Sequence, residues 1–155
     1  MRKLGNIAVL SLMALAIAAV PAIAASPHFL RSDATINSGG DLVVSFKEAG
    51  LGNALETATY NVTGTVTATY GCINRGDKHP EAANKEDVTE VFDASQTVPV
   101  RNGSATGSIT IPLPESPLDC PGNQVSKLFS VTYSGIELHS GASGNTVPLG
   151  SVSQP

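Results

Sequence analysis

The most constraining feature of this chain is a strict alternation of side chains between Tyr60 and Cys72. Apolar residues occupy the even positions, and threonine or asparagine occupies nearly every odd position between them. A period of two residues is typical of a β-strand with one face on a core and the other in solvent. Gly64 interrupts the apolar series and predicts a bulge or a bend, because glycine adds no packing to a strand interior.

Other segments show the same alternation and are separated by residues that favour turns. Two of them flank Asn102-Gly103, a pair that favours the tight turn of a β-hairpin. No segment after residue 25 has a sustained helical period. The pattern predicts an all-β fold, a single antiparallel immunoglobulin-like β-sandwich of roughly seven to nine short strands. All seven Phe and Tyr residues lie in predicted strands, and we assign their rings to the core.

The first 25 residues have the composition of a secretory signal peptide. Met1-Arg2-Lys3 is basic, an apolar run follows, and Pro21 to Ala25 supplies the small residues that a signal peptidase requires. The apolar run is short for a bilayer span of ~20 residues. We therefore expect a signal peptide at residues 1–25 and a secreted domain at residues 26–155, with no membrane insertion after cleavage. In a bacterium with two membranes the destination would be the periplasm.

Charge and cysteine content limit the partners and the compartment. The formal net charge is −4, and two of the basic residues, Arg2 and Lys3, lie within the predicted leader. An acidic domain repels phosphate groups, which argues against nucleic acid as a partner. The two cysteines, Cys72 and Cys120, follow the leader. In an oxidising compartment such a pair normally forms a disulfide, which here would close a loop of about 50 residues and stabilise the fold by ~4 kcal/mol.

A charged segment after Cys72 is the leading candidate for a binding site. Residues 73–87 are expected to form a long connection that begins beside the predicted disulfide. Long ordered loops often carry function. The candidate binding residues are Arg75, Asp77, Lys78, His79, Glu81, Asn84 and Lys85. The alternative is a solvated connection whose charges only maintain solubility.

The same segment carries a resemblance to other proteins. Its matching residues are Cys72-Ile73-Asn74, Gly76, Pro80, Ala82 and Asn84-Lys85. This run resembles a recurrent segment of uncharacterised small secreted β-rich proteins of bacteria and fungi. The resemblance implies a secreted β-sandwich and no known activity.

Catalytic, cofactor-binding and metal-binding motifs are not recognisable. The run Gly103-Ser104-Ala105-Thr106-Gly107 has its serine one position too early for a nucleophile elbow. The charged segment offers oxygen ligands for calcium, but without EF-hand spacing, and zinc would require three or four His or Cys ligands. We therefore expect no cofactor and no enzymatic activity. A small hydrolase whose Ser, His and Asp meet only in space is the least favoured alternative.

A second loop, residues 112–121, contains four prolines and Cys120. Each proline fixes its own φ, so the loop should be stiff and should lose little entropy on binding. We expect a secreted, non-enzymatic binding protein that recognises an extracellular protein or carbohydrate through residues 73–87 and 112–122. The alternative function is an inhibitor of an extracellular hydrolase that acts through the proline-rich loop. In the remaining alternative the loop has no binding role and only connects two strands, and its prolines prevent unwanted strand pairing.

Two segments match the acceptor pattern for N-glycosylation, Asn61-Val62-Thr63 and Asn102-Gly103-Ser104. Asn61 lies on the odd, outward face of its predicted strand, and Asn102 lies in the predicted turn. Both side chains are therefore expected to face solvent.

Overall fold

A computed structural model describes residues 26–74 and 85–155 of the chain. In these residues the chain forms seven β-strands and no helix. The strands are β1 (His28–Ile36), β2 (Leu42–Ala49), β3 (Thr57–Asn74), β4 (Lys85–Arg101), β5 (Ser104–Ile111), β6 (Gln124–Ser140) and β7 (Thr146–Gln154). Within these residues the structure contains no helix that is long enough and apolar enough to cross a membrane. The predicted signal peptide, residues 1–25, lies outside the described residues.

The seven strands pair in one antiparallel sheet, in the order β1-β2-β5-β4-β3-β6-β7. The two outer strands, β1 and β7, lie close to each other, so the sheet is nearly barrel-shaped. The prediction of an all-β antiparallel fold is confirmed. Its finer form, an immunoglobulin-like sandwich, is not confirmed, because β4 connects β3 to β5 and makes one continuous sheet instead of two.

Strand β3 confirms the alternation that the sequence predicts. Tyr60, Val62 and Ala68 are fully buried, whereas the threonines at odd positions are exposed or half-buried. Gly64 lies at a register shift between β3 and β6, so the predicted irregularity is present. The ring of Phe92 packs against Gly64 where a Cβ atom would lie. A larger residue at this position would displace that ring.

Aromatic rings fill much of the core. Five of the seven are buried, namely Phe46, Tyr60, Tyr70, Phe92 and Tyr133. Phe29 packs against them from a half-buried position. Phe129 does not, because a second register shift between β3 and β6 places Leu128 on the core side instead. The prediction that all seven rings lie in the core is therefore wrong for Phe129, whose ring covers Gly71.

The connections lie at two ends of the sheet. One end, called the disulfide end below, carries the β1–β2 turn (residues 37–41), the β5–β6 connection (residues 112–123), the end of β3 and the start of β4. The opposite end carries residues 50–56, the Asn102-Gly103 turn and residues 141–145. The Asn102-Gly103 turn is the predicted two-residue hairpin, and both of its residues have positive φ, 50° and 69°.

A buried carboxylate joins several strands near the opposite end. Glu48 is fully buried, and its Oε2 accepts hydrogen bonds from the hydroxyls of Tyr60 (2.8 Å) and Ser140 (2.7 Å). Its Oε1 accepts one from the Ser143 hydroxyl (2.6 Å) and a longer one from Asn145 Nδ2 (3.4 Å). Burial, together with the bond to Glu48, raises the pKa of Tyr60. These contacts connect β2 to β3, to β6 and to the turn before β7.

Candidate functional site

The disulfide ties the end of β3 to the β5–β6 connection. Cys72 and Cys120 form the predicted bridge, with their Cα atoms 5.6 Å apart. The prediction of this disulfide is confirmed. Because Cys72 lies near the end of β3, the bridge holds residues 112–123 beside the point where β3 ends, at Asn74. A disulfide in this position is consistent with an oxidising compartment.

Hydrogen bonds hold the β5–β6 connection to the sheet at further points. The Tyr70 hydroxyl donates to the carbonyl of Pro114, and the backbone N–H of Leu113 donates to Asp41 Oδ1 at 3.0 Å. Near the disulfide, the hydroxyls of Ser116 and Ser126 are 2.6 Å apart. Burial, with a smaller effect of the Glu90 charge, raises the pKa of Tyr70. The connection is therefore an ordered segment bonded to the β1–β2 turn, β3 and β6.

Apolar contacts cover the core beneath this connection. Leu113 and Leu118 pack against the core, and a Cβ atom on Gly40 would lie 3.1 Å from a methyl carbon of Leu113. Gly40 also has a φ of +91°, which glycine adopts without strain. The Tyr133 hydroxyl donates to the Gly40 carbonyl at 2.9 Å, and burial raises the pKa of Tyr133 to about 12. The turn and the connection therefore close the disulfide end together.

Asp41 is the acidic group that links the β1–β2 turn to this connection. Hydrogen bonds from the Leu113 N–H and from the Asn37 side-chain amide hold the pKa of Asp41 below its usual 3.8. The folded state thus favours the ionised form. The stabilisation is complete above pH 3.8 and is lost as the pH falls through the lower pKa of the folded state.

We expect the substitution Asp41→Asn to reduce the free energy of unfolding by about 1 kcal/mol at pH 7 and by less at pH 2, because the carboxyl group of the unfolded chain is protonated there and the folded state has lost part of its advantage from the ionised form. Urea unfolding at several pH values measures this difference. Asp33→Asn, at an exposed carboxylate of β1, is the matched control and should change neither value. An equal loss at both pH values would contradict the role given to the ionised carboxylate.

Most of the predicted binding residues lie outside the described part of the chain. These are Arg75, Asp77, Lys78, His79, Glu81 and Asn84. At both ends of the predicted loop the boundaries are wrong, because residues 73–74 continue β3 and residues 85–87 begin β4. The ladder between these strands reaches Gly71 opposite Lys85. Lys85 is the predicted binding residue that the structure describes, and its Nζ lies 4.7 Å from the ring centre of Phe129, within cation–π range.

Along the β5–β6 connection, exposed residues alternate with residues that are buried or half-buried against the sheet. Glu115, Pro117 and Asp119 are exposed, whereas Pro114 is buried and Ser116 and Leu118 are half-buried. Val125, at the start of β6, keeps 44% of its surface exposed. The fixed backbone therefore presents two carboxylates and a proline ring to solvent beside an apolar side chain.

Residues that would support catalysis or metal binding are not brought together in the described part. The exposed ring of His139 bonds to the hydroxyl of Thr146 at 3.0 Å. Within residues 26–74 and 85–155, no group of three or more His, Cys, Asp or Glu side chains could hold a metal ion. Glu48 and Ser140 are fully buried, so a dissolved substrate does not reach them. His79 and the candidate oxygen ligands Asp77 and Glu81 lie outside these residues, whereas Glu86 and Asp87 belong to β4.

The two glycosylation motifs differ in accessibility. Asn102 is exposed in its turn. Asn61 is half-buried, and its amide nitrogen donates to Asp93 Oδ1 on the neighbouring strand. An attached sugar would have to break that bond at Asn61, whereas it would meet solvent at Asn102.

Sequence reasoning missed the groups that hold the connection in place, Tyr70 and Asp41. A signal for Tyr70 was present, because it precedes Cys72 on the same face of β3 and must point toward whatever the disulfide attaches. No protein-family model, no curated protein and no solved structure matches this chain. The functional assignment therefore depends on the geometry of the disulfide end.

Proposed function

We propose that this protein is exported and acts outside the cytoplasm as a non-enzymatic binding protein. Its binding surface is the disulfide end, and its partner is an extracellular protein or a carbohydrate. The leader-like residues 1–25 and the Cys72–Cys120 disulfide support export. The surface has no cofactor in this proposal, and its acidic character disfavours nucleic acid.

The observation that carries the proposal is the fixed backbone of residues 112–123. The disulfide, the Tyr70 hydroxyl and Asp41 each hold one point of the segment, while Glu115, Pro117 and Asp119 remain exposed between these points. A segment that is ordered before binding loses less conformational entropy when a partner docks. Such a surface binds by complementarity of shape and charge.

The test replaces exposed side chains of the connection and keeps its anchors. We expect the variant Glu115→Ser, Pro117→Ser, Asp119→Ser to lose at least tenfold in affinity for the partner that the wild-type protein crosslinks from its native medium, with an unchanged melting temperature. The matched control carries Asn53→Ser and Ala142→Ser, at exposed positions of the opposite end. Equal capture by the connection variant would contradict the proposal.

The proline-rich loop also supports the second candidate function, inhibition of an extracellular hydrolase. The supporting observation is the same rigid, exposed segment that a reactive loop requires. The captured partner separates the two functions. A hydrolase that slows when the wild-type protein is added, and not when the variant is added, would identify an inhibitor.

A further inference from the structure

Strand β4 is hydrogen-bonded to another strand on one side only over most of its length. It pairs with β3 from Pro99, opposite Thr57, to Lys85, opposite Gly71. On its other side it pairs with β5 only at Val100 and Arg101, after which β5 pairs with β2. Along residues 85–98, no strand of the described chain therefore pairs with that second side.

The alternation of the backbone shows which groups face the unpaired side. The N–H of Val100 donates to the carbonyl of Glu56, just before β3. The backbone N–H and C=O groups of the even-numbered residues of β4 therefore point toward β3. Arg101 pairs with Ser104 on the opposite side, and Pro99 has no N–H. The ladder with β3 has no register shift. The N–H and C=O groups of odd-numbered residues 87–97 consequently face the unpaired side.

The other two edges of the sheet contain features that disfavour strand pairing. In β1 a register shift at Leu30 breaks the ladder, and β7 contains Pro148 and the positive-φ residue Gly150. Proteins commonly use such bulges and prolines to prevent edge pairing. Residues 85–95 of β4, called the β4 edge below, contain no proline and no bulge. At its centre Val91 keeps 83% of its surface exposed.

The charge of the β4 edge favours one kind of strand. Glu86, Asp87, Glu90 and Asp93 are all exposed, and Lys85, at one end, is the one basic residue of this stretch. A second copy would bring these carboxylates close to one another, which is unfavourable for strands side by side. A strand rich in lysine or arginine would instead meet opposite charges.

We propose that the β4 edge binds an extended, basic segment of a partner protein, which adds to the sheet as a further strand. Backbone hydrogen bonds supply the attachment, and the four carboxylates select lysine and arginine. This inference rests on the proposed binding function and names the chemistry of its partner. The edge is about 37 Å long at ~3.4 Å per residue, and it begins at the disulfide end.

The probe is a synthetic nine-residue peptide in which lysine alternates with threonine and valine, added to the isotope-labelled chain from residue 26 onward. We expect binding to slow amide exchange at odd-numbered residues of the β4 edge and not at even-numbered ones, which are already bonded to β3. Raising the salt from 50 to 500 mM should weaken binding about tenfold. A peptide with glutamate in place of lysine should not bind.

Two variants keep the test decisive. Val91→Pro removes one N–H from the unpaired side and should weaken binding of the lysine peptide at least tenfold, whereas Val91→Thr should leave it unchanged. Glu86→Lys with Glu90→Lys preserves the backbone and should reverse the preference toward the glutamate peptide. The charge-reversal result is independent of whether the proline variant folds.

Three results would overturn the inference. They are no binding at millimolar lysine peptide, binding without protection of the odd-numbered amides, and a dimer of the chain itself that protects them instead. The proposed function is tested separately, because the Glu115, Pro117 and Asp119 variant leaves the β4 edge intact. If that variant loses partner capture while the lysine peptide does not bind the wild-type protein, the proposed binding function stands and the inference about the β4 edge is rejected.

Discussion

Replacing both cysteines with alanine should lower the melting temperature by roughly 10–15 °C. The bridge closes a loop with a sequence separation of 48 residues. In the chain-entropy model, closing such a loop stabilises the folded state by ~4 kcal/mol relative to the unfolded chain. For a domain of this size, each kcal/mol corresponds to roughly 3–4 °C. Thermal unfolding followed by circular dichroism measures the change.

Chemical reduction of the wild-type protein provides the control for this prediction. The reduced wild type and the Cys72→Ala, Cys120→Ala variant lack the same crosslink, so their melting temperatures should agree to within a few degrees. Adding reductant to the variant should change nothing. If the melting temperature falls by less than 3 °C in both the reduced wild type and the variant, the crosslink contributes little to the stability of the fold.

The substitution Glu48→Ala should cost about 3–5 kcal/mol of unfolding free energy. It leaves a cavity in the core and removes the acceptor for four donors, of which the Tyr60 and Ser140 hydroxyls are buried. The cost is large because a buried donor without a partner loses its hydration without compensation. Urea unfolding at neutral pH measures it.

Graded variants separate the carboxylate from its volume. Glu48→Gln preserves the shape and lets the hydroxyls reorient, so it should cost about 1–2 kcal/mol. Tyr60→Phe removes one bond to the carboxylate and should cost a similar amount. Lys47→Ala, at the exposed neighbouring position, should change the stability by less than ~0.5 kcal/mol. If the free energy of unfolding of the Glu48→Ala variant lies within about 1 kcal/mol of the wild-type value, the buried hydrogen bonds of Glu48 contribute little to the stability of the sheet.

A strand was predictable from the sequence where one of its two faces packs on the core and the other faces solvent. The alternation in β3 identifies Tyr60, Val62 and Ala68 as core residues because each strand residue points opposite to its neighbours. The Asn102-Gly103 hairpin was predictable because few residue pairs adopt positive φ without strain. The disulfide was predictable because two cysteines that follow a predicted signal peptide have one possible pairing.

Features that depend on pairing between distant strands were not predictable. Whether the strands form one sheet or two depends on how far β4 and β5 remain paired, and the local pattern is the same in both cases. Phe129 was misplaced because a bulge between β3 and β6 changes the phase of the alternation. Glu48 was missed, although it continues the even-numbered core series of Leu42, Val44 and Phe46. A carboxylate in that phase indicates buried donors.

The candidate site was predicted in part for the same reason. Proline content and Cys120 indicated a stiff connection, but its contacts with Tyr70 and Asp41 join residues far apart in sequence. The unpaired side of β4 also depends on the path of a different strand, β5. The position of Tyr70 beside Cys72 was the local signal for the first feature, and the unpaired side of β4 has no local sequence signal.

Amide exchange in the connection tests most directly whether the disulfide end is ordered before a partner binds. Exchange in residues 112–123 should be followed by mass spectrometry in the oxidised protein and in the Cys72→Ala, Cys120→Ala variant. We predict that Leu113 and its neighbours exchange far more slowly than an unstructured peptide in the oxidised protein, and much faster in the variant. Exchange at the rate of an unstructured peptide in the oxidised protein would contradict a preformed binding surface.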